Sequence, residues 1–144
     1  MEVIFMRFNP NEAREIIMNH YMKPDNKEAL KDEFITSFSN TCSDKLDLVL
    51  SFDNDVLKDA KFNGHGCSVF LASTDILLNI LKGKSKSEIN ELLALYERFL
   101  NEEQLSDEEI NSLGELWVFF NVKKHLSRMA CALLTSKTII NEIK

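Results

Sequence analysis

The sequence predicts an α+β fold: a three-stranded antiparallel sheet packed against a bundle of about five helices. Three observations carry this expectation. Apolar residues alternate from Lys45 to Phe52, with Leu46, Leu48, Leu50 and Phe52 on one face and Lys45, Asp47 and Ser51 on the other. After Cys67 the apolar period changes to that of a helix and stays helical to the end. Strand-like and helix-like stretches are also segregated along the chain, which favours an antiparallel meander over a parallel sheet with crossover helices.

Each element has its own signal. Asn9 is placed to cap a first helix, and Pro10 suits its first turn. Ala13, Ile16, Ile17 and Tyr21 recur at helical spacing, and Pro24 closes the segment. Phe34 to Phe38 is rich in aromatic and β-branched residues and reads as a first strand. Lys45 to Phe52 is the second; Asp53-Asn54-Asp55 is a turn, and Val56 to Phe62 returns as the third. Ser68 to Leu81 reads as a largely buried helix ending at Lys82-Gly83. Ser85 and Glu88 form a capping-box pattern that opens the next helix, with Ile89, Leu92, Leu93, Tyr96, Phe99 and Leu100 inward. Ser106 and Glu109 repeat the pattern for a helix carrying Ile110, Leu113, Trp117 and Phe120. A last helix is expected from about Lys123 to Ile143, with Leu126, Met129, Ala130, Leu133, Ile140 and Ile143 as its apolar stripe.

A chain of 144 residues suits one domain, and no repeat or long linker divides it, so residues 1–144 are expected to form a single unit. The net charge of −6 argues against nucleic acid, whose phosphates need a cationic surface, and against an anionic membrane surface. The greasiest run, Val69 to Leu81, is interrupted by Ser73, Thr74, Asp75 and Asn79, so no membrane-spanning helix is expected. Met1 to Arg7 has neither the basic lead-in nor the long apolar core of a signal peptide, and the expected compartment is the cytoplasm. Hydrolase signatures such as G-x-S-x-G and H-E-x-x-H are absent, as is a phosphate-binding glycine loop.

The chemistry points to the cysteines. There are three, an odd number that fits a disulfide scaffold poorly. Cys42-Ser43-Asp44 stands at the mouth of the second strand, where an extended chain would turn the Cys42 thiol and Asp44 carboxylate the same way. Gly64-His65-Gly66-Cys67 lies at the junction of the third strand and the following helix and uses two of the four glycines. Glycines there permit a tight turn and close approach to whatever Cys67 faces. A cysteine at a helix N-terminus meets the positive end of the helix dipole, which favours the thiolate. Cys131 lies in the last helix, with Arg128 one turn before it. Three thiolates and a carboxylate make a full tetrahedral set for Zn²⁺, and the same donors suit an iron–sulfur cluster. Three buried, inert thiols would use the same residue types, and the spacing lacks paired C-x-x-C motifs.

Longer segments carry a family resemblance. Ile16 to Asn26 resembles the N-terminal helix signature of the IscU/SufU/NifU iron–sulfur assembly proteins, and Asn40 to Asp44 resembles their Cys-Gly-Asp segment. Phe62 to Ser73 is similar to their Gly-x-Gly-Cys motif with its following helix, and Arg128 to Leu133 to their final Arg-x-x-Cys-Ala segment. The match runs in order from about residue 13 to about residue 140. Ala130 stands where the IscU type has a histidine before the last cysteine, and a segment around Leu81 to Trp117 lengthens the interval between Cys67 and Cys131. Both features resemble the SufU type.

That resemblance implies a SufE/IscU-like fold and a zinc-dependent sulfur acceptor working with a SufS-like cysteine desulfurase. It implies that Cys42, Asp44, Cys67 and Cys131 are the metal ligands and that Cys42 accepts the sulfur. Arg128 is then the candidate cation beside an anionic zinc–thiolate centre. A downstream iron–sulfur scaffold or other acceptor would take the sulfur on. The alternative is a scaffold role, with a [2Fe–2S] cluster built on the same ligands and passed to apo-proteins. Two departures bear on the site. Ser43 replaces the family's glycine, so a positive φ there would strain the turn before Asp44. The segment before Arg128 lacks the usual Phe-Pro pair, so the last helix should begin differently. His65 is expected to be an exposed loop residue, with metal ligation as its alternative role, and His20 and Tyr21 are expected to be packing and helix-surface residues.

Overall fold

A computed structural model describes residues 8–31, 33–39 and 43–143. Among these residues the chain runs α1 (Pro10–Met22), β1 (Ile35–Phe38), β2 (Lys45–Asp53), β3 (Val56–His65), α2 (Ser68–Leu81), α3 (Lys86–Leu100), α4 (Asp107–Ser112), 3-10 turns at Gly114–Phe119 and Val122–Lys124, and α5 (Leu126–Ile143). The α+β expectation holds, with the sheet in the order β1-β2-β3 and both pairings antiparallel.

The sheet forms as its alternation dictates. Leu46 and Leu48 are fully buried on the inner face of β2, while Ser51 is exposed. Leu48 stands opposite Ile35 of β1 and Phe62 of β3, which fixes the register about an apolar cross-strand row. Asn54 and Asp55 form the β2–β3 turn, with φ of 51° and 70°. Two residues of positive φ match the right-handed twist of the flanking strands, and Asn and Asp tolerate that region better than most residues.

Helix α2 is the axle of the molecule. It is buried on nearly every side, from Phe70 through Leu78, and packs against α1, α5, β3 and the first 3-10 turn. A helix apolar all round has to lie inside. The core cluster it belongs to includes Phe62, Tyr96 and Phe119, all without exposed surface. The chain enters α1 through Phe8, whose ring stacks on Trp117 and Phe120. Asn9 then caps α1 by accepting from the N–H groups of Asn11 and Glu12. Both capping boxes also form, Ser85 with Glu88 and Ser106 with Glu109. No described helix is long and apolar enough to cross a membrane.

Three boundaries differ from expectation. β3 continues past Phe62 to His65, because Asn63, Gly64 and His65 keep pairing with Asp47, Leu46 and Lys45. The helix expected to carry Trp117 and Phe120 ends at Ser112: Gly114 takes a φ of 54°, which an α-helix cannot accommodate, and the chain goes on as 3-10 turns. The last helix starts at Leu126 rather than near Lys123, because His125 is extended. The turn in which Ser43 replaces glycine includes Cys42, so the strain expected there lies outside the described residues.

Candidate metal centre

Three of the expected donors converge. Donor atoms of Asp44, Cys67 and Cys131 all lie within 4.8 Å of one another. They come from the residue before β2, the cap of α2 and the second turn of α5. Zinc bonds of roughly 2.0–2.3 Å place tetrahedral donors roughly 3.5–3.8 Å apart, a spacing within the bound these three atoms keep. Cys42 lies outside the described residues.

Local backbone explains how each donor is held. Asp44 is buried. Its Oδ1 accepts the backbone N–H of Cys67 at 3.1 Å, which ties the two donor residues together. Cys67 caps α2, with its Sγ accepting from the N–H of Phe70 at 3.5 Å. Cys131 is buried on α5, and two contacts fix that helix in depth. Thr135 Oγ1 lies 2.7 Å from Thr74 Oγ1 on α2, and the Tyr96 hydroxyl on α3 donates to the Ala132 carbonyl at 3.0 Å. Burial pushes the Tyr96 phenol well above its usual range, which keeps it a donor.

The glycines serve close approach rather than a tight turn. A Cβ on Gly66 would stand 2.2 Å from Asp44 Oδ1 and 2.8 Å from the Phe70 ring. A Cβ on Gly64 would stand 2.1 Å from the Lys45 carbonyl oxygen. Asp44 can therefore reach Cys67 only because neither position carries a side chain.

Chemically, Oδ2 of Asp44 decides the fit. It is buried and, among the described residues, has no hydrogen-bond partner. Burying a carboxylate oxygen without a donor is costly, and buried carboxylates are ordinarily paired or metal-bound. A buried carboxylate with an unpartnered oxygen, grouped with two cysteine sulfurs, is a donor set that fits zinc.

The remaining expected residues lie outside this group. Arg128 is exposed, one turn before Cys131, and lines a cleft that also receives Arg14. His65 ends β3 opposite Lys45; it is exposed and does not join the donor group. Tyr21 is exposed on α1, as a helix-surface residue should be.

His20 was underestimated by sequence reasoning. Its Nδ1 meets Asp75 Oδ2 at 2.6 Å and its Nε2 meets Glu115 Oε1 at 2.9 Å. Asp75 also accepts from the backbone N–H groups of Asp25 and Asn26 and from the Asn26 side chain. Burial alone would lower the His20 pKa, but the hydrogen bonds and negative charges of Asp75 and Glu115 outweigh it and raise the pKa above 6.5. The available signal was Asp75 itself: an acid in the middle of an otherwise apolar helix must find partners.

This fold, with a thiol–carboxylate donor cluster at the junction of sheet and helices, defines a class. Residues 12–135 match the model of the NifU-like N-terminal domain, and the chain belongs to that family. Within it, the chain is 32% identical to the zinc-dependent sulfurtransferase SufU of Bacillus subtilis, covering 93% of this chain and 92% of that protein. It is 26% identical to the iron–sulfur cluster assembly scaffold protein IscU of Streptococcus pyogenes, covering 90% of this chain and 80% of that one. Among solved structures it resembles a putative SUF-system scaffold protein, SufU, from Fervidobacterium islandicum, with a TM-score of 0.78 and 30% identity over 90% of this chain and 95% of the other.

Proposed function

We propose that the protein is a zinc-dependent sulfurtransferase of iron–sulfur cluster assembly, accepting persulfide sulfur from a cysteine desulfurase. The observation that carries this reading is the grouping of Asp44, whose Oδ2 has no partner among the described residues, with Cys67 and Cys131. It accords with the family, and with a relative that is named a zinc-dependent sulfurtransferase. Residues 1–144 are read as one domain acting in the cytoplasm, with Cys42 as the fourth ligand.

Bound zinc supplies positive charge that keeps cysteine thiols deprotonated at neutral pH. Cys42, as the proposed acceptor, attacks the outer sulfur of the donor's persulfide. A new sulfur–sulfur bond forms on Cys42 and the donor's bond breaks, its electron pair leaving with the donor cysteine as thiolate. Sulfane sulfur moves without net oxidation or reduction. Cys67 and Cys131 keep their positions through the α2 cap and the Thr74–Thr135 contact. Asp44 is the one oxygen donor, harder than the thiolates and so more readily released when a ligand position must open. Arg128 stands outside the cluster, where it can meet an approaching anionic group.

The test is metal analysis combined with desulfurase turnover. A colourless protein with about one zinc per chain that stimulates cysteine desulfuration supports the reading. Cys42→Ala should abolish the stimulation while the protein stays folded. A brown protein carrying iron and sulfide, without stimulation, would replace this function with that of a [2Fe–2S] scaffold.

A further inference from the structure

Cys67 and Cys131 differ in what can reach them. Cys67 is exposed at the head of α2, whereas Cys131, on α5, is only 2% exposed. Their sulfurs nonetheless lie within 4.8 Å of each other. Contacts that need no metal hold the two helices in that relation. The Asp44 carboxylate accepts the Cys67 N–H, Thr74 of α2 meets Thr135 of α5 at 2.7 Å, and Tyr96 donates to the carbonyl of Ala132, next to Cys131. An exposed cysteine beside a second, sheltered one is the arrangement in which a first oxidation ends as a disulfide instead of running on to the irreversible sulfur acids.

We propose that Cys67 and Cys131 form an oxidative modification site, closed as a reversible disulfide by hydrogen peroxide. Cys67 attacks one peroxide oxygen. The oxygen–oxygen bond breaks, hydroxide leaves, and the sulfur becomes a sulfenic acid, having given two electrons to the peroxide. Cys131 then attacks the Cys67 sulfur. A sulfur–sulfur bond forms, the sulfur–oxygen bond breaks, and a second hydroxide leaves. Two protons, from the thiols or from solvent where a metal has displaced them, complete two waters. The sum is two thiols and one peroxide giving one disulfide and two waters. Both sulfurs are then lost as thiolate donors, so the metal site is dismantled while Cys42 keeps its thiol. The bond rests on the geometry of the two cysteines alone. Its effect, stopping sulfur transfer by releasing zinc, rests on the function proposed above.

The test treats the zinc-loaded full-length protein with hydrogen peroxide, blocks the remaining thiols with N-ethylmaleimide and maps a tryptic digest without reduction. The three cysteines fall in separate peptides, residues 32–45, 62–82 and 129–137, so each pairing has its own mass. Expected is a link between 62–82 and 129–137 with Cys42 alkylated, about one zinc released to a chromophoric chelator per link, and both reversed by dithiothreitol. Cys42→Ala should still give the link. A wild-type link that includes Cys42, sulfinic acid on Cys67 without a link, or intact thiols where free cysteine in the same tube is oxidised would overturn the site. Stimulation of a desulfurase should fall in step with the fraction linked, and stimulation by fully linked protein would overturn the switch. If the protein stimulates a desulfurase and no link forms, the site is wrong and the sulfurtransferase survives. If the link forms but the reduced protein neither holds zinc nor stimulates a desulfurase, the site stands and the function falls.

Discussion

His20 Nδ1 lies 2.6 Å from Oδ2 of Asp75, a carboxylate with no exposed surface. The contact clasps α1 to the central helix, and Glu115 closes on the other ring nitrogen from the first 3-10 turn. Both ring nitrogens face carboxylate oxygens, so both must donate, and the bound form is the imidazolium.

A pH dependence follows. The folded-state pKa of His20 is raised above 6.5, so the clasp contributes fully below about pH 6.5 and is lost as pH rises through the higher folded value. His20→Ala should cost about 2 kcal/mol at pH 6, the scale of hydrogen bonds to charged groups. The difference from wild type should shrink at pH 9. Urea unfolding at the two pH values checks this, and an equal or larger cost at pH 9 would reverse the assignment.

Asp44→Asn should separate binding from folding. Oδ2 has no described partner, so the metal-free protein gives up no hydrogen bond when that oxygen becomes an amide. Apo stability should therefore change by less than about 1 kcal/mol, while zinc affinity falls at least roughly tenfold for want of the carboxylate. Chelator competition and thermal unfolding of the two forms measure both quantities.

Gly66→Ala should damage the site through space alone. The new Cβ would fall 2.2 Å from Asp44 Oδ1, so the carboxylate must move and lose its hold on the Cys67 N–H. A destabilisation of about 1–3 kcal/mol is expected, as for overpacking elsewhere, together with lower zinc content. Normal zinc loading in this variant would show that Asp44 is not held by that contact.

Thr135→Val should loosen the floor under Cys131. The buried Thr74–Thr135 hydrogen bond at 2.7 Å would be lost, at about 1 kcal/mol. Thr74 retains its own bond to the Phe70 carbonyl, so the loss should not exceed that scale. Adding Thr74→Val should cost less than the sum of the single changes, and a double-mutant cycle reads the coupling directly.

Much of this architecture was legible before any coordinates. β2 could be read because Leu46 and Leu48 alternate with half-buried polar residues, and α3 because Ser85 and Glu88 announce its start. The approach of Asp44, Cys67 and Cys131 could be expected only from residue types and motif resemblance, since their scattered spacing carries no local signal. Two things were hidden. The helix expected across Leu113 to Phe120 kept its apolar period while Gly114 changed the backbone beneath it, and periodicity does not register one residue's φ. His20 and Asp75 are far apart in sequence, and only packing α1 on α2 makes them a pair.

The donors that approach one another stand before β2, at the head of α2 and within α5, and no covalent bond joins those elements there. A cation seated among them is a rivet, and removing it leaves only the Asp44–Cys67 and Thr74–Thr135 hydrogen bonds and the core packing to hold the seam. Amide exchange after chelation should quicken most at this seam and fade along the hairpin. It should leave the Asn54–Asp55 tip, roughly 30 Å away at the far end of β2, almost untouched.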